Sequence, residues 1–278
     1  MALIGAATSV GLLAVTWYVA HYVGFVKRAD ASILVGFAQL DRPGLNRVTI
    51  AIATLCNPHP YLVLAAIPVL VALARRRPRV AAMIALVILA ANETTQLLKP
   101  LLAGPRDPVS WIPIGGASWP SGHATAAMSL ALCAVIAAPS RLRPAVAAAM
   151  GAFAIAVCYS FLELGWHYPS DVLGGFLVAT AWTMVGVAGL SLLEARHAAG
   201  AAAAPDPRRT PVSVGRALAP AGAMLAAGAI GAVLIALARP HQVISYARGH
   251  EAFVVGATGI GVLSLMLASG LSLMLRRP

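Results

Sequence analysis

The sequence predicts an all-α polytopic membrane bundle, with a six-helix core, a two-helix C-terminal hairpin and about eight transmembrane helices. Three observations carry this. Of its 278 residues, 60% are hydrophobic and only 10% charged, with a mean hydropathy of +0.83; soluble domains run at about 25% charged. Eight apolar runs approach the roughly 20 residues needed to cross a bilayer. One stretch, 197–216, is Ala-rich, carries Pro205, Pro207 and Pro211, and shows no apolar period. It reads as a cytoplasmic linker between core and hairpin.

The runs fall at about 3–25, 51–73, 80–98, 122–139, 145–163, 171–193, 217–238 and 253–275. They divide the chain into a first span with its interfacial segment (1–50), a core (51–196), the linker (197–216) and the hairpin (217–278). The first run lacks preceding positive charge and a small-residue cleavage site, so it reads as a retained span rather than a removed signal. Between runs one and two, Ile33, Leu34, Phe37 and Leu40 recur at helical spacing among Asp30, Gln39, Asp41 and Arg42. That pattern suits a short helix lying in the membrane interface. The third run closes on Asn92, Glu93, Thr94, Thr95, Gln96 and Lys99; ionisable groups at such depth face a bundle interior or a wet cavity. The connection from Arg239 to Glu251 reads as a polar loop.

The formal charge is +11. A nucleic-acid partner is excluded because the basic residues fall at span ends and not on one soluble face. With the N-terminus inside, twelve basic residues flank the inner ends and eight the outer ends. This predicts a multi-pass protein of the inner (cytoplasmic) membrane with both termini inside. Eighteen of the twenty basic residues are Arg, beside abundant Ala, the usage of a GC-rich bacterial genome. Cys56, Cys133 and Cys158 lack metal or disulfide spacing and read as buried hydrophobes. Nothing in the sequence sets an oligomeric state.

Three polar clusters interrupt the apolar pattern, all in outward connections. The first holds Lys99 and Arg106. The second, Pro120-Ser121-Gly122-His123, opens the fourth run. The free N–H groups and dipole of a helix start attract an anion, Gly122 allows close approach, Ser121 adds a hydroxyl, and His123 can donate a proton near neutral pH. The third is Trp166-His167-Tyr168-Pro169-Ser170-Asp171. With Pro169 in the first turn of a helix, Asp171 can hold one nitrogen of His167 and leave the other free as a nucleophile. Lys99 and Arg106 would supply positive charge to phosphoryl oxygens.

In these clusters the chain resembles the type-2 phosphatidic acid phosphatase family over about residues 50–193. The family pattern is Lys, six residues, Arg-Pro; then Pro-Ser-Gly-His; then Ser-Arg, five residues, His, three residues, Asp. Lys99 and Arg106 keep the first spacing, with Asp107 where Pro is expected. Residues 120–123 match throughout, and Ser160, His167 and Asp171 keep the third spacing. The resemblance implies a six-helix, metal-independent phosphatase without cofactor. His167 would be the nucleophile, Asp171 its orienting partner and His123 the general acid. Lys99, Arg106, Ser121, Gly122 and Ser160 would bind substrate. One departure stands out: Phe161 replaces the third-motif Arg, and Glu163 and Asp107 add negative charge. Three outcomes are open: a slower enzyme, another cation such as Arg248, Arg239, Arg47 or Arg42 in the vacated place, or a substrate whose head group carries hydroxyls, such as a sugar, bound by Glu163 and Asp107. The expected substrate is a lipid-linked phosphate at the extracytoplasmic face: a phospholipid, a polyprenyl phosphate or pyrophosphate, or a polyprenyl-linked sugar phosphate. Two other readings share these residues: phosphotransfer from the same phosphohistidine to a hydroxyl, and a non-catalytic lipid-binding or transport protein of the same fold.

Overall fold

The computed structural model describes residues 1–40, 44, 46–106, 109, 111–198 and 214–275. The described residues form α1 (Ala2–Tyr22), α2 (Gly24–Ala38), α3 (Asn46–Thr54), α4 (Pro58–Ala74), α5 (Pro78–Leu101), α6 (Gly122–Ala137), α7 (Arg143–Glu163), α8 (Pro169–Ala198), α9 (Val214–Ala238), α10 (Pro240–Gly249) and α11 (Glu251–Met274). Of the described residues 84% are helical, as an all-α polytopic membrane protein requires: within a bilayer each backbone polar group must be satisfied inside its own segment. Asp41, Arg42, Asp107 and the body of the linker, 199–213, lie outside the described residues.

Each apolar run is helical. Six helices are long and apolar enough to cross a membrane, and α3 with α4 forms a seventh span bent by 58°. The bend has a local cause. Asn57 sits at the N-cap of α4 in an extended conformation, followed by Pro58 in the first turn; proline has no N–H to continue α3 and its fixed φ suits a helix start. The remaining run is α6, 16 residues long. At 1.5 Å per residue it rises about 24 Å, short of the roughly 30 Å hydrocarbon core. It is the central post of the bundle. Its whole surface from Ala124 to Leu132 is buried, packed against α5, α7 and α8. By contrast α1 and α9 leave Leu3, Val10, Val15, Ile230, Leu234 and Leu237 exposed, the surface a bilayer covers.

The interfacial helix begins earlier than its apolar period suggested. Val23 takes an extended conformation between α1 and α2, and α2 starts at Gly24 and ends at Ala38. The connection read as a polar loop is α10, with Pro240 in its first turn. The Tyr246 hydroxyl donates to the Gly36 carbonyl of α2, and the Tyr246 ring stacks on His250 at 4.3 Å. The last helix joins the core: α11 packs on α7 and α2, with Ser264 Oγ donating to the Gly151 carbonyl at 3.0 Å and Arg143 to the Leu275 carbonyl at 2.9 Å.

Close approach of α8 to the start of α6 is set by Gly175. A Cβ there would lie 2.7 Å from the Ser121 carbonyl oxygen and 2.8 Å from the Thr125 nitrogen, both backbone atoms unable to swing aside. Small residues at such crossings are how membrane helices gain contact. Gly175→Val should therefore separate the two helix starts. We expect turnover to fall on the order of a hundredfold, the cost of misplacing reacting groups by about an ångström, with a lowered Tm in detergent.

Candidate functional site

Four helix ends converge at one end of α6. The starts of α6 and α8 are tied by the Ser121 N–H donating to the Asp171 carbonyl at 3.0 Å. Trp119, fully buried, adds a bond from Nε1 to the Ser170 carbonyl at 3.2 Å. The C-terminal ends of α5 and α7 bring Lys99 and Phe161 alongside. At the far end of α6, Arg75 donates to the Ala137 carbonyl, so the arginine-rich turn at 75–79 and the histidines occupy opposite ends of the same helix.

His167 lies 3.2 Å through Nδ1 from Asp171 Oδ2. A carboxylate only accepts, so Nδ1 carries the proton and Nε2 keeps its lone pair. The same carboxylate oxygen accepts from the Tyr168 N–H at 3.0 Å, which locks the first turn of α8. The His123 ring stands 6.1 Å from that of His167. Its Nε2 meets Asn57 Oδ1 at 2.9 Å, and an amide oxygen accepts, so this nitrogen carries the proton. Asn57 reaches His123 because α3 and α4 break at that point. Phe161, fully buried, flanks both imidazoles, 5.2 Å from the His167 ring and 5.9 Å from that of His123. It gives both rings an apolar wall.

Ser121 is the N-cap of α6 and accepts from the Ala124 N–H at 3.2 Å. Gly122 opens toward α5: a Cβ there would meet Gln96 Nε2 at 3.3 Å and Lys99 Nζ at 3.9 Å. Lys99, Gln96 and the free N–H groups of the α6 start thus face one small space. Ser160 is buried on α7 next to Phe161, and its carbonyl accepts from the Leu164 N–H at 3.1 Å.

Arg106 is placed differently from a surface cation. Its side chain is 4% exposed and lies behind Asp171. Nη2 donates to Asp30 Oδ2 at 2.8 Å, Ser170 Oγ at 2.6 Å and Asp171 Oδ1 at 3.1 Å. Nη1 reaches His21 Nε2 at 3.4 Å, and the Tyr168 ring covers the guanidinium at 4.4 Å. His21 Nδ1 donates to the Trp17 carbonyl at 2.8 Å, which leaves Nε2 as the acceptor. Asp30 also accepts from the Ser170 N–H at 2.8 Å and the Ser170 hydroxyl at 2.7 Å. One carboxylate from α2 therefore holds both Arg106 and the start of α8. Burial pushes the Asp30 carboxyl up from 3.8 to about 6, against the pull of Arg106 and Ser170.

The motif spacings brought Lys99, Ser121, Gly122, His123, His167 and Asp171 to one place, with Arg106 and Ser160 beside them. Asp30, His21, Asn57, Gln96 and Ser170 join the site without having been singled out. The only signal for Asp30 was a carboxylate within an otherwise apolar helical period. Among the described residues no three His, Cys, Asp or Glu side chains group as metal ligands.

A search of curated proteins finds no significant match. A solved structure, described as the first transmembrane PAP2 type phosphatidylglycerolphosphate phosphatase from Bacillus subtilis, is similar with a TM-score of 0.58 at 22% identity, over 68% of this chain and 97% of that one. This likeness shows the shared fold. The model of the PAP2 superfamily matches residues 6–192, most of the chain and every helix that supplies the site, and the protein therefore belongs to the PAP2 superfamily.

Proposed function

We propose that the protein is a membrane phosphatase that hydrolyses a lipid-linked phosphate through a phosphohistidine on His167. The observation that carries this reading is the pairing of the two histidines: His167 with its Nε2 lone pair free, and His123 with a protonated Nε2, their rings 6.1 Å apart with Phe161 alongside both. His167 Nε2 attacks phosphorus. His123, as the imidazolium, gives a proton to the departing lipid oxygen and becomes neutral, then takes one from the water that releases phosphate. Lys99, Gln96 and the α6 N–H groups carry the phosphoryl oxygens, where charge must be stabilised.

In this reading Arg106 works chiefly on Asp171. It neutralises that carboxylate from behind, so that Asp171 orients His167 without repelling the phosphate. Ser121 caps the anion-binding helix, and Ser160 supports the wall beside Phe161. With Arg106 so engaged and Phe161 in place of the third-motif Arg, Lys99 is the main cation at the phosphate. The site is proposed to face the extracytoplasmic side, since it lies opposite the arginine-rich turn at 75–79. The test is release of inorganic phosphate by the purified protein in detergent micelles, offered phosphatidic acid, phosphatidylglycerol phosphate, a polyprenyl pyrophosphate and a polyprenyl-linked sugar phosphate. Release from at least one is expected; release from none would end the reading.

A further inference from the structure

A cavity of about 740 Å³ opens directly beside His167, between α3, the end of α7 and the 111–118 segment. Its walls include Asn46, Trp111, Ser118, Glu163 and Trp166, besides His167 itself. Trp166 also lies 5.5 Å from the His123 ring, so one wall residue of the cavity touches the second histidine. Gly165, at φ +69°, makes the turn that carries the chain from Glu163 to Trp166; this left-handed conformation favours glycine.

The polar atoms on these walls share one chemistry. Asn46 Oδ1 is buried and finds no hydrogen-bond partner in the protein. The Ser118 hydroxyl, on a residue 8% exposed, has none either. The Glu163 carboxylate accepts from Thr49 Oγ1 at 3.4 Å. Buried polar atoms almost always have partners; both orphans are closed off from the open space, and a turn of either side chain to another rotamer brings it onto the cavity wall, where an occupant completes it. Asn46 Oδ1 and Glu163 only accept. A phosphate also only accepts, and it would be repelled. What fits is a donor of several hydroxyls. Trp111 and Trp166, 54% and 38% exposed, add flat apolar faces of the kind that cover the C–H face of a sugar or polyol. The volume is that of a ligand site, which runs at about 300–1,000 Å³.

We infer that this cavity is a subsite for a neutral hydroxyl-rich group, a sugar or polyol, adjoining the phosphate that His167 attacks. The inference deepens the phosphatase reading and rests on it for the position of the phosphate. It also gives the low cationic charge of the site a purpose, since selectivity comes from hydroxyls beside the phosphate. The hydroxyls belong either to the substrate's own head group or to an acceptor for the phosphoryl group.

The test is calorimetric binding of ribose 5-phosphate, glycerol 3-phosphate and inorganic phosphate to the full chain in detergent. Ribose 5-phosphate should bind at least tenfold tighter than inorganic phosphate. Trp111→Ala and Glu163→Gln, made separately, should each erase that preference while leaving the affinity for inorganic phosphate unchanged. Equal or absent binding of the two ligands, or variants that weaken both alike, would overturn the subsite. Turnover then separates the two sources. If the hydroxyls are the substrate's, Trp111→Ala lowers kcat/KM for phosphatidylglycerol phosphate or a polyprenyl-linked sugar phosphate but not for phosphatidic acid. If they are an acceptor's, added glycerol diverts phosphate from water in the wild type and not in Trp111→Ala. A sugar-phosphate preference without turnover of any lipid phosphate would remove the phosphatase reading and leave the subsite standing.

Discussion

His167→Ala is expected to lower phosphate release by roughly four orders of magnitude or more, the scale seen when a covalent nucleophile is removed. The argument is geometric. Asp171 holds the Nδ1 proton, the Tyr168 N–H fixes that carboxylate, and Phe161 bounds the ring on one face, so a single nitrogen is left to react. Of the neighbouring nitrogens, His123 Nε2 is engaged by Asn57, and Lys99 Nζ is a cation. Binding of inorganic phosphate should survive, because Lys99, Gln96 and the α6 N–H groups are untouched. His123→Ala should act less severely, about 10²–10⁴-fold, the usual worth of a general acid, and least on substrates with good leaving groups. Comparable turnover in His167→Ala and wild type, with phosphate still bound, would mean that the nucleophile lies elsewhere.

Asp30→Ala is also expected to slow turnover, although Asp30 touches no reacting atom. It leaves Arg106 with one carboxylate in place of two and removes the acceptors of the Ser170 N–H and hydroxyl. Losing a partner of buried hydrogen-bonded groups costs about 1–3 kcal/mol each, and here the loss falls on the turn that carries His167. The expected signature is a kcat reduced roughly ten- to a hundredfold with KM little changed, since the effect passes through Asp171 to His167. Asp30→Asn keeps the acceptor and should recover part of the loss. A KM increase with unchanged kcat would instead place Asp30 in substrate binding.

The same residue gives a pH dependence of stability. The Asp30 carboxyl titrates near 6 in the fold, raised from 3.8 by burial. Its folded pKa lies above its unfolded one, so the stability linked to its proton is complete below about pH 4 and is lost as pH rises through 6. Asp30→Asn has nothing to titrate there. Its Tm should gain on the wild type between pH 4 and 6, and the gap should stay level above 6. A gap that is flat across the whole range would show that Asp30 ionises as in the unfolded chain.

Much of this fold was legible because a bilayer leaves few choices. Apolar runs of sufficient length become helices, and all eight did. Where a run broke, at Asn57-Pro58, the missing proline N–H was visible in advance; that the bend would carry Asn57 to His123 was not, since it depends on how α4 packs against α6. The motif spacings located Lys99, Gly122, His123, His167 and Asp171 because each sits at a helix end, where position along the chain maps onto position at the membrane surface. Spacing could not say which way Arg106 faces. Its guanidinium turns to Asp30, 76 residues earlier, and a single carboxylate on an amphipathic helix looks like any solvated residue. Similarly, Pro240 and Gly249 flank a segment that reads as a loop, and Tyr246 docks it on α2 as α10.

The central claim is covalent catalysis at His167, and a labelling experiment reaches it most directly. Purified protein is mixed with a ³²P-labelled lipid phosphate, quenched during turnover, and the chain tested for bound label. The account predicts label that is stable to base and labile to acid, as a phosphoramidate is, present in the wild type, accumulating in His123→Ala with a substrate whose leaving group needs no acid, and absent from His167→Ala. Steady phosphate release with no labelled protein, or label that survives in His167→Ala, would contradict it.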